Sequence, residues 1–376
     1  MNGLMVAFAF GLPYHVLRTA TAAGMRVHVL GSGPSRGLRA SRFCASYRTS
    51  AASGNGEQDH EVMLHEIEEI VRRNGIDVVF PSDDVSTRLL TSVGDRLPVR
   101  STPLPDLATF DLLNDKWNFT RFALAHGVRV PQGWSYDRRE QLRRDLLSGA
   151  LDLPVTVKPT NQSGSRGVLH LRDRGEIGQI DEIDYQPILV QRHIVGETIG
   201  ISAICRDGKI LTHATQRRDD RRFQLFANPD LVDNVARLAA ATRLNGPANF
   251  DAVLEDKSGL AYIVECNPRF WFTIYMSMIV GLNFFDCALR DQAPPPGGPV
   301  SLDHGEIRLS AKRLITAPWQ ASRQDWRHAA YTLGDPLVYF LQRRKFFDDR
   351  DIAVQASKMM PYEPVVEIEP RRAVNA

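Results

Sequence analysis

The sequence Glu265-Cys266-Asn267-Pro268-Arg269 closes an apolar run, and Asp251 stands one hairpin earlier on what reads as its partner strand. Asp251, Glu265 and Asn267 are hard oxygen donors, and in an extended chain positions 265 and 267 project to the same face. That set suits magnesium, which keeps several waters, bridges phosphate oxygens and needs only one or two carboxylates from protein. Arg269, next on the same face if the extension continues, offers a planar fork to a phosphoryl group or an acyl phosphate. Singly, each of these reads as a solvated hairpin acid or a capped turn; the arrangement is the signal.

Two lysines add to it. Lys158 lies in the apolar strand Pro154-Val155-Thr156-Val157-Lys158-Pro159, where a lysine ordinarily snorkels to the surface. The turn that follows, Thr160-Asn161-Gln162-Ser163-Gly164-Ser165-Arg166-Gly167, gives it a reason to stay, because amides from Ser163 to Gly167 can wrap phosphate oxygens at close range. Lys116 follows Asp115 at a helix start. Farther on, Leu189-Val190-Gln191-Arg192-His193-Ile194-Val195-Gly196-Glu197 leaves a strand and turns at glycine. Such a hinge can present backbone groups to an adenine edge while Glu197 reaches ribose hydroxyls, or it is a plain connector with a surface acid.

The elements that must position these residues fall into an α/β part followed by an α+β part. Leu4 to Phe10, Val27 to Leu30 and Asp77 to Phe80 read as buried strands separated by helices over Tyr14 to Ala23 and Glu61 to Arg73, which predicts a doubly wound parallel sheet. Its ligand-side loops would be Gly11-Leu12-Pro13-Tyr14 and Pro81-Ser82-Asp83-Asp84. Gly31-Ser32-Gly33-Pro34 lacks the full dinucleotide spacing and reads as a strand-ending turn, and Ser50 to Asp59 reads as a mobile surface loop. A helix from Asp115 to about His126 is capped by Gly127. Strands over Ile188 to Gln191, Thr198 to Cys205, Lys209 to Thr215, Ala248 to Leu254 and Ala261 to Glu265 follow, with turns at Asp207-Gly208 and Lys257-Ser258-Gly259 and a helix from Pro229 to Thr242 between the hairpins.

Composition bounds the function. The 376 residues, 43% hydrophobic, suffice for two or three packed subdomains, and a net charge of +2 gives no global drive towards nucleic acid or anionic lipid. Cys44, Cys205, Cys266 and Cys287 show no metal or disulfide spacing, which fits a cytoplasmic protein. The apolar opening run lacks a basic leader and reads as a first strand, and no run approaches the roughly 20 residues of a membrane helix.

In this ordered series of motifs, over roughly residues 1 to 290, the sequence resembles the ATP-grasp superfamily, and within it carbamoyl phosphate synthase and related carboxylate–amine ligases. The resemblance implies an amino-terminal α/β domain over 1–110, a linker helix and small lid over 111–187, a carboxyl-side antiparallel domain with the metal acids over 188–290, and an extension over 291–376. It implies that Lys116 and Lys158 contact ATP phosphates and that Ser163, Gly164, Ser165, Arg166 and Gly167 form the lid loop. The Arg192 carbonyl and the Ile194 amide, beside Gln191, would read adenine, with Glu197 on the ribose. Asp251, Glu265 and Asn267 would hold Mg2+, with Mn2+ as an alternative, and Arg269 would stabilise the transferred phosphoryl group. Two departures stand out: Arg192 replaces a common acid, and Phe270-Trp271-Phe272 replaces the polar continuation of carbamoyl phosphate synthase, which argues against carbamoyl phosphate as product.

The expected reaction is attack of a carboxylate on the γ-phosphate, then attack of an amine on the acyl phosphate, carried by positioning and electrostatics. The expected partners are small-molecule carboxylates and amines, without nucleic acid, with a homodimer compatible. A kinase and a non-catalytic nucleotide-binding partner remain open alternatives. Arg217, Arg218, Arg221 and Arg222 read either as a carboxylate or triphosphate site or as a solvated loop, and Trp271 either as an acceptor-pocket wall or as core. After the stiff connector Ala293 to Pro299, the aromatic and basic run Pro336 to Phe347 is expected to pack on its own domain rather than on a membrane.

Overall fold

The computed structural model describes residues 1–52, 57–162, 166–290, 299–309 and 311–343. Four parallel strands, β1 (Asn2–Ala7), β2 (Arg26–Gly31), β3 (Cys44–Thr49) and β4 (Val78–Pro81), form the first sheet in the order β3-β2-β1-β4. Along β1 the even positions Leu4 and Val6 pack into one core with α2 (Glu57–Asn74) and α3 (Asp84–Ser92). The odd positions Met5 and Ala7 pack into another with α1 (Gly11–Ala22). Both faces are therefore covered, which is why these strands read as unbroken apolar runs.

Three expectations shift here. Gly11 to Tyr14 is not a loop but the first turn of α1, where Pro13 removes an amide that has no intrahelical partner anyway. Glu57 to Asp59 belong to α2 rather than to the surface loop, while Ser53 to Gly56 lie outside the described residues. The strand β3 carries Cys-Ala-Ser-Tyr-Arg-Thr, half exposed at the sheet edge, so no apolar run announces it. Asp83 caps α3 and accepts hydrogen bonds from Phe8 N at 2.6 Å and Ala9 N at 2.9 Å, tying the end of β1 to that helix.

After α4 (Leu107–Asn114), Asp115 accepts from Trp117 N and Asn118 N and so starts α5 (Lys116–Ala125). A second, antiparallel sheet has the order β5-β8-β6-β7, from β5 (Gly133–Tyr136), β6 (Val155–Pro159), β7 (Leu169–Leu171) and β8 (Ile188–Arg192). The helix α6 (Arg139–Ser148) covers it through Leu142 and Leu146.

The third sheet is built from β9 (Gly196–Arg206), β10 (Lys209–Arg218), β11 (Arg222–Phe226), β12 (Gly246–Glu255) and β13 (Ala261–Asn267), with α7 (Pro229–Thr242) between the hairpins. Asp207 and Gly208, both with positive φ, make the β9–β10 turn. Helices α8 (Ile274–Val280) and α9 (Phe284–Leu289) pack their aromatic faces against α1 and β4. Strand β14 (Val300–Ser301) joins β10, and β15 (Gly305–Arg308) extends the edge, giving β13-β12-β9-β10-β11-β15. The chain continues through α10 (Ala311–Thr316), α11 (Arg323–Leu333) and α12 (Pro336–Arg343), whose Tyr331 and Val338 are buried in the α1 core. The connector from 293 to 298, and residues 344 to 347 of the basic run, lie outside the described residues.

Candidate functional site

Strands β12 and β13 pair antiparallel with Asp251 opposite Glu265, so the alternation of the strands sets both carboxylates on one face of the third sheet. Cys266 turns to the other face and is buried in the core beneath α7. Helix α5 delivers Lys116 to the carboxylates: its amide is held by Thr160 O at 2.8 Å, its Nζ lies 3.2 Å from Glu265 Oε2, and the same Nζ donates to Gln162 O at 2.7 Å. Strand β6 delivers Lys158, whose Nζ donates to Val264 O at 3.1 Å. Two lysines 42 positions apart, each 9% exposed or less, thus meet the acids of the β12–β13 hairpin.

Burial lowers the Lys158 ammonium from its ordinary range to about 8, with Glu265 opposing and Lys116 reinforcing that shift. Asp251 is driven up to about 8 by burial and then by the neighbouring Glu265 charge. Burial also opposes ionisation of Glu265, yet the Lys116 ammonium, the hydrogen bond from Asp251 and the Lys158 ammonium hold its carboxyl down to about 2. The two acids therefore retain one proton between them, as two close buried carboxylates do when only lysines neutralise them. A divalent cation in place of that proton would satisfy both, and two carboxylates are what magnesium asks of a protein when phosphates supply the rest. Among the described residues no group of three His, Cys, Asp or Glu side chains assembles, so a site of the zinc type is not formed there.

Asn267 ends β13 beside the pair, with Nδ2 at 3.3 Å from Glu265 Oε1 and at 3.5 Å from Asp251 Oδ2. Its oxygen accepts from Arg269 Nη2 at 3.0 Å, so the amide must turn over to serve as a ligand. The extension does not continue to Arg269. Instead the guanidinium is held by Asp84 Oδ1 at 2.6 Å and Phe270 O at 2.8 Å, joining the start of α3 to this hairpin. Asp84 belongs to the loop expected at the ligand side of the first sheet, but nothing in the sequence pairs it with a residue 185 positions later.

The remaining expected residues separate into three groups. Ser163, Gly164 and Ser165 lie outside the described residues, while Arg166 and Gly167 form the turn after them, Gly167 with φ of +64°. Gln191 is buried and donates to Thr120 Oγ1 at 3.1 Å, so its side chain braces α5. The Arg192 amide donates to Gln132 O at 2.9 Å, and its side chain reaches Glu255 at 3.5 Å. Ile194 follows outside the strand and is buried. Glu197, already on β9, pairs with Arg217 at 3.0 Å, and a ribose contact would require it to exchange that partner. Arg217 and Arg218 end β10 and Arg222 opens β11, with Arg221 in the turn between them, where Asp219 Oδ1 accepts from the amides of Arg221 and Arg222. Trp271 is core, packed edge-on against Phe284, whereas Phe272 is 46% exposed and meets His15 at 4.5 Å.

Sequence reasoning missed Asn249, Ser202 and Gln216, buried polar groups beside Asp251, and the half-buried Thr273 that meets Gln216. Asn249 had a signal in its spacing of two from Asp251. Ser202 and Gln216 had none, because a polar residue in a strand looks the same whether its partner is water or a neighbouring strand.

Residues 184–304, which include most of the third sheet, match the family model described as an ATP-grasp in the biosynthetic pathway with Ter operon. The carbamoyl phosphate synthase large chain of Agathobacter rectalis is 25% identical over 201 residues, covering 48% of this chain and 18% of that protein. This chain therefore spans under a fifth of that curated relative. The fold is shared with the L-amino acid ligase from Bacillus licheniformis, at a TM-score of 0.57 and 16% identity over 77% of this chain and 73% of that one. It is shared also with the dimeric biotin carboxylase domain of the 2-oxoglutarate carboxylase of Hydrogenobacter thermophilus, in complex with MgADP, ADP and bicarbonate, at 0.56 and 15% over 77% and 68%. No helix among the described residues is long and apolar enough to cross a membrane. Over residues 184–304 the chain is thus similar to an ATP-grasp family, and over about three quarters of its length it shares a fold with an L-amino acid ligase and a biotin carboxylase domain.

Proposed function

We propose that the chain is an ATP- and magnesium-dependent carboxylate–amine ligase that works through an acyl phosphate. The observation that carries the reading is the meeting of Lys116, Lys158, Asp251 and Glu265 at one place, with Arg269 alongside. Buried ammoniums supply fixed positive charge for a triphosphate, and the acid pair supplies the side of a cation that faces protein. Phosphoryl transfer asks for little covalent help, so lysines, cation and guanidinium suffice by placement and charge. The relatives support the class: an L-amino acid ligase and a biotin carboxylase share the fold.

In this reading Asp251 and Glu265 hold Mg2+, with Asn267 completing the set once its amide turns, and Mn2+ can substitute. Lys116 and Lys158 hold phosphates, the turn from Ser163 to Gly167 closes over them, and Arg269 meets the transferred phosphoryl group. The segment from Gln191 to Ile194 meets adenine, with Glu197 on the ribose. A single bound triphosphate would span the second and third sheets, and the acceptor would lie between Arg269 and the start of α3. Arg218, which ends β10 opposite Phe223, is the arginine of the run taken to meet a substrate carboxylate.

The test is a screen of carboxylates with amines in the presence of Mg2+, reading ADP release and product mass. Hydroxylamine separates the classes: a ligase yields a hydroxamate from the trapped acyl phosphate, whereas a kinase releases ADP with a stable phosphorylated product and no hydroxamate. ADP release without hydroxamate on any carboxylate would overturn the ligase reading.

A further inference from the structure

A chain of buried polar side chains leads away from Asp251 across the third sheet. Asn249 Nδ2 donates to Asp251 Oδ1 at 2.9 Å. Asn249 Oδ1 accepts from Ser202 Oγ at 2.9 Å and from Gln216 Nε2 at 3.3 Å, and Gln216 Nε2 also donates to Ser202 Oγ at 3.1 Å. Gln216 Oε1 in turn accepts from Thr273 Oγ1 at 3.1 Å. Ser202 is 0% exposed, Asn249 6% and Gln216 8%, so water contributes little to satisfying these groups and an apolar set would pack more simply.

Gly200 stands opposite both Asp251 and Gln216, so the two side chains share one face of the sheet. A further observation shows that the chain is more than core filling. At the other end, Thr273 occupies the N-cap of α8 but makes no capping hydrogen bond, because its hydroxyl is turned to Gln216. A threonine at that position ordinarily caps the helix to its own benefit. Here that stabilisation is given up for a link to the sheet.

We infer that Gln216 is a positioning residue that links the orientation of Asp251 to the start of α8. The inference rests on the reading of Asp251 as a cation-side acid. The amide donors of the chain point the same way, Gln216 towards Asn249 and Asn249 towards Asp251, so Oδ1 is held, and Oδ2, which meets the Asn267 amide at 3.5 Å, is left to the cation once that amide turns. Thr273 follows Phe272, the exposed ring of the Phe270-Trp271-Phe272 segment. Cation binding at Asp251 therefore steadies the first turn of α8, and disorder in that turn loosens the cation. Partners that orient a ligating side chain typically change metal affinity by about 10–100-fold.

The test uses the full chain with AMPPNP and a Mg2+ titration followed by calorimetry, together with amide exchange of the first turn of α8. Gln216→Leu should raise the half-saturating Mg2+ about 10-fold, and Thr273→Val, which leaves Asp251 and Asn249 untouched, about 3-fold. Thr273→Ser should restore the wild-type value. In the wild type Mg2+ should slow exchange at residues 274–277, and in Gln216→Leu that response should vanish. A merely structural role would lower Tm while leaving Mg2+ dependence and the exchange response intact, which overturns the inference. If Gln216→Leu does not fold, the Thr273→Val and Thr273→Ser pair decides by the same readouts. A wild type that ignores Mg2+ with AMPPNP defeats the reading of Asp251 and the inference together. A responsive wild type matched by both variants defeats the inference alone.

Discussion

Replacing Glu265 by Gln keeps the side chain's shape and removes its charge, which isolates what the carboxylate does. At 3.2 Å from Lys116 Nζ, the Coulomb attraction at an effective dielectric of about 20 has a ceiling near 5 kcal/mol. The net loss of stability is smaller, because Asp251, relieved of its charged neighbour, ionises and becomes the counterion for both lysines. We expect about 1–3 kcal/mol and a Tm lowered by several degrees. Binding suffers differently. One of two acids is gone and the other now serves the lysines, so the affinity for Mg2+ in the presence of AMPPNP should fall about 100-fold, equivalent to about 2.7 kcal/mol. Calorimetric titration of Mg2+ at fixed AMPPNP reads this directly, and ADP release with any substrate found should disappear. Glu255→Gln is the control, since that acid lies at the far end of β12 with Arg192 and Ser258 as partners. Mg2+ affinity in Glu265→Gln within about threefold of the control would refute the assignment of the acid pair to the cation.

Three further outcomes follow from the same geometry. The Lys158 ammonium sits at about 8 without nucleotide, so ATP affinity should fall as pH rises from 7 to 9 while the charge is lost, and Lys158→Arg should flatten that profile in a fluorescence titration. Asp84→Asn leaves the buried Arg269 without its counterion and should destabilise the chain by about 1–3 kcal/mol in denaturant titration, with Asn267 and Phe270 retaining part of the hold. Burial, followed by the charge of Arg18, depresses His15 to about 3, so the unfolded chain takes up a proton that the native one refuses between about pH 6.5 and 3. Stability should be full above that window and decline through it as pH falls, by up to about 1.4 kcal/mol per pH unit from this residue. His15→Phe should make Tm less pH-dependent there, although Tyr331 loses the ring nitrogen that meets its hydroxyl at 2.8 Å.

What the sequence carried unaided was local. Unbroken apolar runs announced β1 and β2, the Asp207-Gly208 pair announced a hairpin, and Pro229 to Thr242 announced α7 with the bounds observed. The same locality placed Glu265 and Asn267 on one face, because alternation along a strand is a property of its backbone. The edge strand β3 escaped: it carries polar and charged residues and is half exposed at the end of its sheet, so no apolar run marks it. What only tertiary structure decided is which distant residues meet. Lys116 and Lys158 reach Glu265 because the amide of Lys116 docks on Thr160 O and the second sheet lies against the third. Arg269 departs from the strand to take Asp84, and Gln216 finds Thr273, because a buried charge or amide must be partnered wherever the fold offers a partner. That requirement acts across space without regard to separation along the chain, so no spacing in the sequence records it.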